Sequence, residues 1–131
     1  MSGQLVTHRT SGLVLSLDET VANDRIIEEI RRGRYEASEL SMASRFVRKE
    51  DRVLELGAGI GFISAGVMRN VGPAYYAAVE ADARLIPHIR QTHLKNGVTG
   101  VEVINAAFVS DPATLKTGYV EFTLHREFWR S

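Results

Sequence analysis

Residues Val53-Leu54-Glu55-Leu56-Gly57-Ala58-Gly59-Ile60-Gly61 constrain this chain more than any other stretch. A short apolar strand runs into an acidic residue and then a turn with glycine at every second position. Glu80 follows at the end of a second apolar segment, Tyr75–Glu80. This layout suits a nucleoside whose charged tail meets backbone at a strand–helix turn while a carboxylate holds the ribose. A dinucleotide fingerprint, G-x-G-x-x-G, requires glycine at position 62 for close helix–strand packing beside a pyrophosphate. Position 62 is Phe. The spacing therefore argues against a nicotinamide enzyme and for a nucleoside without a diphosphate.

The remaining segments alternate between strand and helix patterns. Gln4–Thr7 and residues 13–17 are β-rich around Thr10-Ser11-Gly12, the pattern of a hairpin. Residues 21–32 carry Ile26, Ile27 and Ile30 on one side, with Asn23 or Asp24 as a start signal and Gly33 as a stop. Residues 36–48 place Ala37, Leu40, Ala43 and Val47 at helical spacing. Arg52–Leu56 is the first core strand, and a helix beginning near Gly61 ends at Val71-Gly72-Pro73. Tyr75–Glu80 is nearly continuous in apolar character, as a sheet covered on both faces requires. A helix over residues 84–95 must start late because of Pro87. Val101–Asn105 is the third strand. The tail predicts a turn at Ser110-Asp111-Pro112 and an alternating strand over residues 119–124. Strands alternating with helices imply an α/β fold with a parallel sheet and right-handed crossovers. Ligands of such sheets sit beyond the carboxyl ends of the strands, where the glycine turn, Glu80 and Asn105 all fall.

Composition narrows the function classes. Sixteen basic and sixteen acidic residues cancel, so the basic excess of a dedicated nucleic-acid binder is missing. There is no cysteine, hence no disulfide framework and no thiolate metal site. No apolar run approaches a membrane-spanning length, and residues 1–10 lack the apolar core of a signal peptide. The expectation is a cytoplasmic protein with a small-molecule substrate and no nucleic-acid or membrane partner. His8, His88, His93 and His125 show no ligand spacing, so no metal site is expected. Phe122, Phe128 and Trp129 suit core or interface filler better than a platform for stacking bases. No nucleophile-elbow motif joins the Ser, His and Asp residues.

The tighter G-x-G-x-G is the spacing of S-adenosylmethionine enzymes, and residues 33–131 resemble the FkbM family of S-adenosylmethionine-dependent methyltransferases. The resemblance rests on Gly33-Arg34-Tyr35-Glu36, on Leu54 through Phe62, on Val79-Glu80-Ala81-Asp82, on Asn96-Gly97-Val98, on Ile104-Asn105-Ala106-Ala107, and on Val120-Glu121-Phe122 leading to Phe128-Trp129. It implies a Rossmann-like class I methyltransferase sheet and methyl transfer to a hydroxyl of a sugar, polyketide or similar metabolite. It also implies roles for particular residues. Gly57, Ala58 and Gly59 would let backbone approach the methionine portion, Gly61 and Phe62 would belong to the same cofactor site, and Glu55 would meet the ammonium, directly or through water. Glu80 would accept the ribose hydroxyls, while Ala81, Asn105 and Ala106 would line the adenine. Tyr35 and Glu36 would close over the methionine end.

This chain departs from the family by stopping after three strands of a seven-stranded sheet. The expected organisation is one partial domain with an N-terminal hairpin and two helices (1–50), a βαβαβ core (51–110) and a tail (111–131). The half that would carry substrate and catalytic residues is absent, so no catalytic residue is nominated, and a non-catalytic cofactor-binding or interaction module is the alternative. Without the fourth strand, Arg52–Leu56 becomes an apolar edge. The chain is then expected to self-associate, to swap elements, or to cover that edge with its own hairpin or tail.

Overall fold

A computed structural model describes residues 3–121 and 124. Strands β1 (Gln4–Thr7) and β2 (Val14–Leu17) pair antiparallel, from Gln4 opposite Leu17 to Thr7 opposite Val14. Helix α1 (Asp24–Arg31) follows, its first turn capped by the Asn23 side chain, which accepts from the Ile26 amide at 3.1 Å. Helix α2 (Ala37–Phe46) leads into β3 (Arg52–Leu56), α3 (Phe62–Asn70) and β4 (Tyr75–Glu80). A single 3-10 turn at Ala83–Leu85 precedes α4 (Ile86–Lys95), with Pro87 in the first turn, where its missing N–H costs nothing. The chain continues through β5 (Val101–Asn105) and a short helix α5 (Pro112–Thr117).

β3, β4 and β5 form a parallel sheet in that order, with Val53 beside Tyr76 and Glu80 beside Asn105. The core lies between one face of this sheet, the helices and the hairpin. Val53, Tyr76, Ala78, Val101 and Val103 join it, together with Leu13, Leu15, Leu17, Ile30, Phe62 and Ile89. Helices α2 and α3 approach closely because Gly66 has no side chain: a Cβ there would sit 2.4 Å from Leu40 Cδ1. Among the described residues, no helix is long and apolar enough to cross a membrane.

Three expectations need correction. Among the described residues the sheet is covered on one face only. Leu54 and Leu56 on the other face are 58% and 50% exposed, and Val79 and Ile104 beside them stay outside the core cluster. The sequence of β4 is written for two-sided cover, but the described chain supplies helices to one side. Second, Asp111 and Pro112 start a helix. Asp111 accepts from the Thr114 amide at 2.8 Å and Pro112 takes the first turn, since Asp-Pro suits a cap as well as a loop turn. Third, Tyr119, Val120, Glu121 and Leu124 are not in a strand. Alternation makes a strand only with a ladder partner, and here Gly118, left-handed at φ 76°, ends α5 and redirects the chain. Phe122, Thr123, His125, Phe128 and Trp129 lie outside the described residues.

Among the described residues no strand pairs with the outer edge of β3, and the hairpin does not cover it. It forms its own two-stranded sheet, and α4 takes it instead. Asn96 Oδ1 accepts from the Val14 amide at 2.9 Å, its Nδ2 donates to the Val14 carbonyl at 2.7 Å, and the Ser16 amide donates to Thr92 Oγ1 at 3.2 Å. Side chains of α4 and of its C-cap residue Asn96 thus satisfy the outer edge of β2 as a third strand would.

Candidate functional site

The carboxyl ends of the three parallel strands meet at one crevice. After Leu56 the backbone turns sharply through Gly57, Gly59 and Gly61, with φ of 82°, 59° and 82°. These left-handed angles are cheap for glycine and strained for other residues. The amides of Gly57 and Ala58 both donate to the Val79 carbonyl, at 2.9 and 3.0 Å, which pins the turn to β4. Among the described residues, its chain neighbours aside, nothing lies within 4 Å of the place where a Gly57 Cβ would be, so the turn is open there.

Glu80 locks this turn to the next one. Its Oε2 accepts from the Gly59 amide at 2.9 Å and its Oε1 accepts from the Asp82 amide at 2.9 Å. A solvated strand end would look different: this residue is buried. Each carboxylate oxygen still has a second acceptor position, so the geometry orients the group without exhausting it. Asn105 extends the same stitching. Its Nδ2 donates to the carbonyls of Glu80 (2.9 Å) and Ala81 (3.1 Å), while the Ala106 amide donates to the Glu80 carbonyl at 3.2 Å. Glu80, Ala81, Asn105 and Ala106 are therefore brought together as expected.

Glu55 lies on the covered face of β3, and the partner a buried carboxylate needs is the Tyr76 hydroxyl, donating at 2.8 Å from β4. The sequence signal for Tyr76 was present but indirect: it is a polar tip on the same face as Glu55, visible only once the register of β3 and β4 is known. Burial, opposed by the Tyr76 hydrogen bond and helped by the negative charges of Glu36 and Glu80, raises the Glu55 pKa to about 7. Glu36 behaves similarly. It is the one non-glycine among the described residues with positive φ (45°), immediately before α2. Although the residue sits at the surface, its carboxyl is crowded by protein, and this desolvation, with Glu39 nearby, raises its pKa to about 7 against a hydrogen bond with Tyr35. Neither Glu36 nor Glu55 is ion-paired with a basic side chain among the described residues.

Tyr35 lies near Glu36 and Glu55. Its ring packs edge-on against Phe62 at 5.7 Å, and its carbonyl accepts from His8 Nε2 at 3.0 Å. A carbonyl can only accept, which places the His8 proton on Nε2 and leaves Nδ1 to accept from the Ser11 amide at 3.2 Å. Burial lowers the pKa of His8, in keeping with this neutral form. Two expected site residues face elsewhere. Phe62 is 0% exposed, wedged between His8 and Tyr35, so its side chain supports Tyr35 from beneath and does not line the crevice. Gly61 is buried against α4, where a Cβ would lie 3.2 Å from the Ile89 Cα. Its glycine has an internal packing reason.

Beyond Ala81, Asn105 and Ala106 opens a cavity of about 590 Å³, walled on its far side by Thr114, Leu115, Gly118, Tyr119 and Val120. His8, His88 and His93 do not converge on it. His88 contacts Asp18 and Ser16 at the hairpin, and His93 is buried against Ser64.

No protein-family model and no curated protein matches this chain. Solved structures do. TYW2 from M. jannaschii, determined in complex with AdoMet, superposes with a TM-score of 0.59 at 18% identity, covering 81% of this chain and 45% of that one. Trm5b from Pyrococcus abyssi gives 0.60 at 19%, covering 81% and 29%, and a precorrin-6y C5,15-methyltransferase from Geobacter metallireducens gives 0.51 at 16%, covering 76% and 48%. The fold is the Rossmann-like fold of methyltransferases. This chain spans less than half the length of each of these relatives in structure.

Proposed function

We propose that the crevice binds S-adenosylmethionine and that the chain is the cofactor-binding part of a methyltransferase. The observation that carries this reading is Glu80, a buried carboxylate held by two backbone amides at the junction of the glycine turn and the β4 end, with acceptor capacity remaining. The residues fit the ligand at three points. Glu80 would accept the ribose hydroxyls. The open side of Gly57 leaves room for the amino-acid portion to lie against backbone. Glu36 and Glu55, two carboxyls without a cationic partner among the described residues, match a ligand that carries an ammonium and a sulfonium. Tyr35 shields the same end, and Ala81, Asn105 and Ala106 face the base.

The cofactor, when bound, supplies an electrophilic methyl group. What this chain contributes is orientation: fixing the ribose, neutralising the ammonium and excluding water from the methionine end. The proton of an attacking hydroxyl needs a base, and we assign that role to none of the described residues. The finer reading, an FkbM-type enzyme acting on a sugar, polyketide or similar hydroxyl, is supported by the short strings from Gly33-Arg34-Tyr35-Glu36 to Asn105-Ala106-Ala107. Residues 1–131 would then form one partial domain, with the substrate half supplied by further chain. The bare sheet face and the free β3 edge support this, as does the length of the structural relatives.

Calorimetric titration with S-adenosylhomocysteine, with NAD as control, tests the proposal. Binding of the first alone is expected. Binding of NAD, or of neither by a folded chain, would remove the cofactor reading and leave an interaction module.

A further inference from the structure

The tail after β5 has no evident structural purpose of its own. Helix α5 buries none of its residues, and Leu115 and Tyr119 are 62% and 74% exposed. Yet Thr114, Leu115, Gly118, Tyr119 and Val120 form one wall of the 590 Å³ cavity whose opposite wall is Ala81, Asn105 and Ala106. An aromatic and an aliphatic side chain, held across a gap from a backbone-lined polar edge, suit a flat ring with apolar faces and a polar rim. Asn105 adds a chemical preference. Two carbonyls accept from its Nδ2, which fixes the amide orientation and leaves Oδ1 as the atom it offers to a ligand, an acceptor. An acceptor at the rim favours a base bearing an amino group.

We propose, building on the cofactor site above, that Leu115 and Tyr119 roof the base pocket and that Tyr119 stacks against the adenine of the bound nucleoside, with Asn105 Oδ1 accepting from its exocyclic amine. Ala81, the residue after Glu80, and Asn105, its neighbour across the sheet, both line the pocket, so a ribose on Glu80 would direct its base toward this wall. Tyr119 is then a specificity-determining residue contributed by the tail. It acts through its ring, and its hydroxyl is dispensable.

The test is the affinity of the full 131-residue chain for adenosine and for S-adenosylhomocysteine, by calorimetry, in wild type, Tyr119→Phe and Tyr119→Ala. Thermal melts check that each variant is folded. Removing a stacked aromatic costs about tenfold in affinity. Tyr119→Ala is expected to weaken both ligands by that same factor, while Tyr119→Phe stays within about twofold because the stacking face persists. The inosine analogue of S-adenosylhomocysteine, which presents a carbonyl where adenine presents an amine, should bind more weakly than the parent in all three chains. If wild type binds both ligands and Tyr119→Ala binds them equally well, the roof is wrong and the cofactor reading stands. If Tyr119→Phe falls as far as Tyr119→Ala, stacking is wrong. If wild type binds neither ligand, the cofactor reading fails and the roof fails with it.

Discussion

The two faces of the β3–β4–β5 sheet have the same strands and opposite fates. On one face Val53, Tyr76, Ala78 and Val103 meet helices and hairpin, and the cluster extends to Phe62 and Ile89. On the other face Leu54 and Leu56 stand exposed beside Val79 and Ile104. The crevice belongs to the built side. Glu55 and Tyr76 come from the covered face, and Tyr35 is held by Phe62, which is itself core. The contrast teaches that three strand ends and one covered face suffice to bring Glu80, Ala81, Asn105 and Ala106 together, while the second face stays bare among the described residues.

Substitutions on the two faces should therefore differ sharply, and the largest expected effect is at Phe62. Phe62→Ala opens a cavity in the core and should cost about 3–5 kcal/mol in chemical denaturation. If its cost matched that of a surface change, the built side would be no better packed than the bare one.

Next is acid lability from His93. Burial lowers its folded pKa to about 4, from 6.5. Above pH 6.5 the histidine is neutral in both states. Below it the unfolded chain binds the proton first, so stability should fall by about 3 kcal/mol between pH 6.5 and 4. His93→Gln should remove this leg of the stability profile; an unchanged profile would assign the loss to another group.

Glu55 runs the other way. A carboxyl whose folded pKa is raised to about 7 keeps its contribution at pH below 4.5 and loses it as pH climbs through 7. Glu55→Gln should therefore stabilise the ligand-free chain at pH 8, by roughly 1–3 kcal/mol. It should also weaken S-adenosylhomocysteine, because the ammonium loses its partner. For the wild type, that affinity should rise up to about tenfold from pH 6 to pH 8 as Glu55 ionises. A flat affinity profile would detach Glu55 from the ammonium.

The smallest effect belongs to the bare face. Leu54→Ser should change monomer stability by no more than about 0.5 kcal/mol. It should instead reduce any self-association seen by sedimentation, since the free β3 edge and its apolar face are the surfaces left to pair. Loss of several kcal/mol would mean that the face is covered after all.

Much of this was legible in the sequence, for identifiable reasons. β1, β3, β4 and β5 follow from short apolar runs between turn residues, and α4 begins late because Pro87 leaves no other choice. Glu80, Ala81, Asn105 and Ala106 converge because strand ends of a parallel sheet must. What the sequence concealed depends on tertiary contacts. Gly61 and Phe62 belong to a motif shared by site and core, and only packing against Ile89, His8 and Tyr35 assigns them inward. Tyr76 needed the strand register. The bare face was invisible because apolar composition records what a strand is built to meet, not whether it is met. The tail misled because period-two alternation at residues 119–124 exists without a neighbouring ladder.

If Glu80 makes this crevice a nucleoside site, the S-adenosylhomocysteine affinity of Glu80→Ala, measured by calorimetry, falls below that of wild type. Loss of a charged hydrogen-bond acceptor predicts a weakening of about 1–3 kcal/mol, with the fold confirmed by circular dichroism. An affinity equal to wild type would contradict the claim and leave Glu80 as a brace between two loops.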